Sequence, residues 1–283
     1  MNKDYMMQEL RNIFESNIKA LEILYALEGV KPVARIMVKE DEKDKILDFL
    51  KKKGINYSLS DFKVMKQDED KAYSDKAIKI DAASGEKGHF FIYASRDKEK
   101  AEKAKELEKD NKHKELGILL GYPRCCSEFF ENNFSEESKK QNDFTLRTLK
   151  NSDGFQFPFY TNIAVRHFDL ALLSHFPCCF NCEGSIKIAN IHLEAVRKYD
   201  KQSAEIIEGM LKGAVIYTET KGVFLLRYSK LENNRLYYKG IMGSKNNQIY
   251  EALKNAEHVD ILSKDRIKLN DLEIKNTGIM LFS

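Results

Sequence analysis

The chain lacks tryptophan, has four prolines among 283 residues, and contains no apolar run near the roughly 18 residues that cross a bilayer. A membrane-spanning helix is thereby excluded as an expectation, and no membrane partner is expected. Its first residues, Met1-Asn2-Lys3-Asp4-Tyr5, lack the apolar centre of a secretory signal, so a cytoplasmic location is the default. There is no Gly-x-x-x-x-Gly-Lys phosphate loop and no Gly-x-Gly-x-x-Gly after a strand, so neither nucleotide-binding motif supplies a function. A Cys-x3-Cys-x2-Cys radical-type triad is also missing. Charge of one sign is not in excess either: 47 cations against 44 anions leave +3, which by itself does not indicate nucleic acid. The scarcity of proline and tryptophan on a lysine- and glutamate-rich background matches thermophile or AT-rich genomes, an association without mechanism.

What is present is a folded composition, 42% hydrophobic and 32% charged, long enough for one large domain or two smaller ones. The hydrophobic pattern predicts an α+β fold in three regions. Residues 1–95 form a small sheet with helices, residues 96–212 a helical cysteine region, and residues 213–283 a β-rich region. In the first, residues 5–28 read as one amphipathic helix stopped by Gly29 and Pro32, 33–39 as a strand and 42–53 as a helix closed by Gly54. Strands follow at 57–65, 77–82 and 89–93, with 67–76 as a charged loop and His89 as a structural residue. Residues 96–116, almost continuously charged, read as a solvated connecting helix. In the last region strands are expected at 214–220, 223–228, 235–241, 267–269, 272–275 and 279–282, with a helix over 248–256. Tyr217, Tyr228, Tyr237 and Tyr238 would stack bases if the region bound RNA, but β-propensity is the simpler account of them.

All five cysteines fall between Gly117 and His192, a clustering that random placement would give about once in a hundred chains. Cys125 and Cys126 follow Gly121-Tyr122-Pro123, and Cys178, Cys179 and Cys182 follow His175-Phe176-Pro177. In a reducing compartment such a cluster points to metal or redox chemistry rather than disulfides. Each motif is aromatic–Pro followed by cysteine, so each is expected to open a helix: one through Phe129 and Phe130, the other from Pro177 to about Tyr199, after a helix over 162–175. Free amides and the helix dipole there favour the thiolate. On the second helix Cys178 and Cys182 share a face that continues through Ser185, Ala189 and His192, while Cys179 points elsewhere. His192 lies too far along the axis to ligate and reads as a packed histidine.

The expected ligands are therefore Cys125, Cys126, Cys178 and Cys182, a donor set that suits a [4Fe–4S] cluster or tetrahedral zinc. The cubane leads, because adjacent cysteines on one zinc are strained whereas a cubane offers them separate irons. His175 is the candidate fifth ligand or general acid/base, and Arg124 the candidate anion-binding residue or neutraliser of cluster charge. Arg166, His167 and the aromatic segment Phe155, Phe157, Phe159 and Tyr160 border the same region, with packing as their simpler role.

Leu120-Gly121-Tyr122-Pro123-x-Cys125-Cys126 with Phe129-Phe130, followed by His175-x-Pro177-Cys178 and Cys182, resembles an uncharacterised, largely archaeal domain-of-unknown-function family over about residues 107–200. The resemblance implies that the positions of Cys178 and Cys182 are required and that of Cys179 is variable, and it implies no activity. The functional expectation is an iron–sulfur enzyme doing sulfur or redox chemistry on a small molecule or RNA. Its alternatives are a zinc-stabilised binding module, with RNA as a partner, and a metal-free thiol oxidoreductase using Cys179-x-x-Cys182.

Overall fold

The N-terminal apolar periodicity builds two helices rather than the single one expected. The computed structural model describes residues 3–66, 77–140 and 142–283, so the charged loop 67–76 lies outside the described residues. Helix α1 (Lys3–Phe14) stops at Glu15, whose φ of 48° is left-handed, and α2 (Asn17–Glu28) restarts on the Ser16 cap. The break is fixed from far along the chain. Asp169 accepts from the Ser16 hydroxyl at 2.6 Å and from the Asn17 amide at 2.7 Å, satisfying donors at the new helix start. Residues 20–26 of α2 are all buried, and Gly29 closes the helix in the left-handed conformation.

Strands β1 (Ala34–Lys39), β2 (Asn56–Leu59), β3 (Phe62–Lys66), β4 (Ala77–Asp81) and β5 (His89–Ser95) form the first sheet, with α3 (Lys43–Lys52) between β1 and β2. Central β5 pairs antiparallel with β1, β2 and β3, and β4 joins the far side of β3. The expected strand 57–65 is thus two strands. Ser60 breaks it, its hydroxyl bonding the Phe62 carbonyl at 2.6 Å and accepting the Phe91 amide at 3.0 Å. The charged segment also divides, into α4 (Lys98–Lys109) and α5 (His113–Leu119), around left-handed Asn111.

Next come α6 (Arg124–Glu137), α7 (Thr145–Lys150), the short strand β6 (Gln156–Phe157), two 3-10 turns over Phe159–Thr161 and Ile163–Phe168, α8 (Glu183–Tyr199) and α9 (Lys201–Leu211). The expected helix over 162–175 is not formed. The second 3-10 turn ends at Asp169, itself left-handed at φ 54° because it turns back to cap α2. Arg166 and His167 face buried Asp143, at 2.6 and 3.6 Å, which accounts for both as structural residues.

The C-terminal region supplies β7 (Gly213–Thr218), β8 (Gly222–Arg227), β9 (Lys230–Glu232), β10 (Arg235–Tyr237), β11 (Gly240–Gly243), α10 (Gln248–Asn255), β12 (His258–Ser263), β13 (Arg266–Leu269), β14 (Leu272–Lys275) and β15 (Thr277–Phe282). One sheet runs β14-β13-β12-β10-β9 and the other β11-β8-β7-β15-β6. The single strand expected over 235–241 is therefore β10 and β11, which belong to different sheets. Strand β15 lies parallel to β6 from the central region. Of the four tyrosines, Tyr217 is buried and the Tyr238 hydroxyl bonds the Leu253 carbonyl at 2.5 Å, leaving Tyr228 and Tyr237 exposed. No helix among the described residues is long and apolar enough to cross a membrane. The protein is α+β, and one buried apolar cluster runs from Met6 and Leu24 through Ile92, Phe144 and Leu193 to Val215 and Met280.

Candidate metal centre

The first limb of the site is made by the turn between α5 and α6. Gly121 sits at φ 88°, and a Cβ there would stand 2.7 Å from Cδ of Pro32, so both the turn and the close approach require glycine. Pro123 takes the cap position one residue before α6, with its carbonyl accepting the amides of Cys126 and Ser127 at 3.0 Å each. Cys125 and Cys126 lie in the first turn, as the sequence suggested, with their sulfurs 3.9 Å apart. Adjacent residues in that turn still bring both thiols to one place.

The second limb differs from expectation: no helix begins at Pro177. The backbone of residues 177–180 is bonded instead to distant side chains. Thr148 Oγ1 donates to the Pro177 carbonyl at 2.8 Å, Asn151 Nδ2 to the Cys178 carbonyl at 2.6 Å, Thr161 Oγ1 to the Phe180 carbonyl at 2.7 Å, and Ser152 Oγ accepts the Phe180 amide at 2.8 Å. Those partners replace the helical ones, and α8 starts only after Cys182, which is its N-cap residue. Cys178 and Cys182 meet through this turn and not through a helix face. The two helix starts nonetheless touch: a Cβ on Gly184 would lie 3.1 Å from both Cβ and Cγ of Pro123 and 3.9 Å from Cys182 Sγ.

The sulfurs of Cys125, Cys126, Cys178 and Cys182 all lie within 4.8 Å of one another, a donor set able to hold a metal ion. Among the described residues it is the one such group of three or more His, Cys, Asp or Glu. Cys179 stands outside it. Cys126 to Cys182 is 3.6 Å, Cys125 to Cys182 is 3.7 Å, and all five cysteines are free of disulfides. Cys126 also accepts the Cys178 amide at 3.3 Å and meets Ser185 Oγ at 3.3 Å.

Electrostatically the sulfurs divide the charge unevenly. Cys182 is held far below the ordinary thiol range by hydrogen bonds from Cys126 and Cys178, with Ser185 adding to them against the penalty of burial. Cys126 is pushed up to about 12: the hydrogen bond from Cys178 opposes this, but its own bond to Cys182 and its burial prevail. Cys178 is also raised, through its hydrogen bonds to Cys126 and Cys182 and then burial. Four like charges at this spacing need a cation among them, which a bound metal supplies.

His175 lies behind this wall. It is buried, its Nε2 is 2.9 Å from Ser185 Oγ, and its ring packs 4.7 Å from that of Tyr122. One hydroxyl therefore separates it from Cys126. Burial first, then the charge of Lys31, lower its pKa to about 3, so it is neutral at pH 7. His192 is likewise buried, lowered to about 3 by burial and Lys31, bonded through Nδ1 to the Leu172 carbonyl at 2.7 Å and stacked on Tyr25. Its packed role agrees with the sequence. Arg124 is exposed at the first position of α6 and forms no ion pair among the described residues.

Sequence reasoning missed three contributors. Ser185 enters the sequence reading only as part of the face shared by Cys178 and Cys182, although its place three after the N-cap is where a capping partner belongs. Buried Lys31 bonds Glu22 at 3.2 Å and Ser174 at 2.5 Å and lies 4.8 Å from the centroid of the Tyr122 ring, with no local signal for burial. Gly184 carries the close approach of the helix starts. Lys31, Tyr122, Ser174, His175 and His192 border a cavity of about 30 Å³ beside the centre, room for about one or two waters. The chain matches no family model, no curated protein and no solved structure.

Proposed function

We propose that this is a metal-thiolate protein in which Cys125, Cys126, Cys178 and Cys182 hold one tetrahedral ion, zinc being the ion that suits the set. The observation that carries the reading is the sulfur spacing of 3.6–3.9 Å among Cys125, Cys126 and Cys182, with Cys178 within 4.8 Å of each. Thiolates about 2.3 Å from one tetrahedral ion stand about 3.8 Å apart. A cubane has irons and sulfides between its thiolates and spreads them well beyond that. Four protein sulfurs fill the coordination shell, which is the pattern of a structural site. Bound there, the ion offsets half of the thiolate charge and joins the start of α6, the 178–182 turn and the start of α8 into one unit.

Metal analysis of protein purified anaerobically from metal-replete cells tests this. One zinc per chain, lost to a chelator together with thermal stability, is the expected result. About four irons with labile sulfide and absorption near roughly 400 nm would replace it with the iron–sulfur reading. In that case the cluster would be the centre of sulfur or electron chemistry on a small molecule or RNA, with His175 and Arg124 beside it.

A further inference from the structure

Given a metal held by the four sulfurs, on which this rests, we infer that Cys125 is the reactive thiolate of the centre and that it takes neutral, unhindered alkyl electrophiles. The four sulfurs are not equivalent. Cys126 is buried, accepts the Cys178 amide and meets the Ser185 hydroxyl. Cys182 is buried at the head of α8, within reach of the same Ser185. Cys178 is half-buried, in a turn whose carbonyl is tied to Asn151. Cys125 is the exposed member, and its sulfur touches only the sulfurs of Cys126 and Cys182, with no N–H or O–H donor among the described residues.

Both differences act in one direction. A hydrogen bond to a thiolate withdraws electron density from the lone pair that attacks, and burial keeps the electrophile away. Cys125 has neither restraint. Four thiolates on a divalent ion carry a net charge of 2−, so an anionic electrophile is repelled and a neutral one admitted. In the reaction the Cys125 Sγ lone pair forms a sulfur–carbon bond as the carbon–leaving-group bond breaks. The leaving group departs with the bonding pair, and the thiolate has no proton to dispose of. The product is a neutral thioether in place of one charged ligand.

The test uses the full-length, zinc-loaded Cys179→Ser protein, which lacks only the thiol outside the quartet. It is treated with iodoacetamide, and alkylated peptides are mapped against time by mass spectrometry. The first carbamidomethyl group should appear on Cys125, at least about tenfold faster than on Cys126, the factor carried by one hydrogen bond to a charged group, and ahead of half-buried Cys178 and buried Cys182 through its exposure. Iodoacetate should label the same residue more slowly. Metal is measured on the same sample. A chain that holds no metal sinks the metal reading and this inference with it. A chain that holds metal yet alkylates Cys178 first, or all four alike, sinks this inference alone.

Discussion

Replacing Ser185 with alanine tests the wall behind the centre. The side chain is fully buried and bridges Cys126 Sγ at 3.3 Å and His175 Nε2 at 2.9 Å. Its loss has two effects. The thiolate loses a donor, and partners of this kind typically change metal affinity by about 10- to 100-fold, or about 1.4–2.7 kcal/mol. His175 Nε2 loses its partner in a buried place, which costs about 1–3 kcal/mol whether or not metal is bound. Better helix propensity of alanine offsets about 0.5 kcal/mol of that, since Ser185 lies in the first turn of α8. The variant should thus be destabilised by about 0.5–2.5 kcal/mol without metal and should also release zinc more readily. Competition with a chromophoric chelator reads the affinity, and urea unfolding of the metal-free chain reads the stability. His175→Gln, which retains a side-chain donor, should fall between wild type and Ser185→Ala. Zinc affinity unchanged within about threefold in Ser185→Ala would refute the reasoning, because it would leave the hydroxyl with no hold on the sulfur.

Two further outcomes follow from the same geometry. Gly184→Ala places a methyl 3.1 Å from two carbons of the rigid Pro123 ring, so the two helix starts must separate by a few tenths of an ångström. Alanine suits the helix better than glycine by up to about 1 kcal/mol, so the zinc-induced rise in melting temperature should shrink while metal-free stability does not fall; an undiminished rise would count against close contact as the determinant. His175 and His192 have folded pKa values lowered to about 3 by burial, below the unfolded value near 6.5. Their contribution is fully present above about pH 6.5 and is lost as pH falls toward 3, at up to about 1.4 kcal/mol per pH unit for each histidine. Acid unfolding of the metal-free chain should therefore be shallower in His192→Gln over that window, and a slope equal to wild type would show that His192 is not held neutral.

The elements most legible in the sequence are those whose hydrogen bonds are local. Helix α3 with Gly54 behind it, strand β5, helix α10 and the β13–β14 pair lie within a few residues of where periodicity puts them. The breaks were less visible. Residues 5–28 keep one apolar period through Ser16, yet the carboxylate that interrupts them belongs to Asp169, 153 positions away. The same residue ends the 3-10 turn where periodicity suggests a continuing helix. One side chain thus accounts for two errors in helix length, and nothing near either helix reveals it.

The cysteine site shows how sequence spacing can bring four sulfurs together although the local structure expected behind them is not the one that forms. A helix from Pro177 would put Cys178 and Cys182 on one face, and a turn closed by the Cys182 amide on the Cys179 carbonyl at 3.1 Å brings them together just as well. Both arrangements satisfy the same spacing, so the spacing alone cannot choose between them. What chooses is supplied by Thr148, Asn151, Ser152 and Thr161, which bond the 177–180 backbone across 19 to 29 positions of sequence. With those groups bonded elsewhere, no helix can form before Cys182, and α8 must begin at the residue whose sulfur its first-turn amides favour. The fold therefore places Cys182, whose thiol is lowered by its hydrogen bonds with Cys126 and Cys178, at the head of α8, where open amides also favour the thiolate.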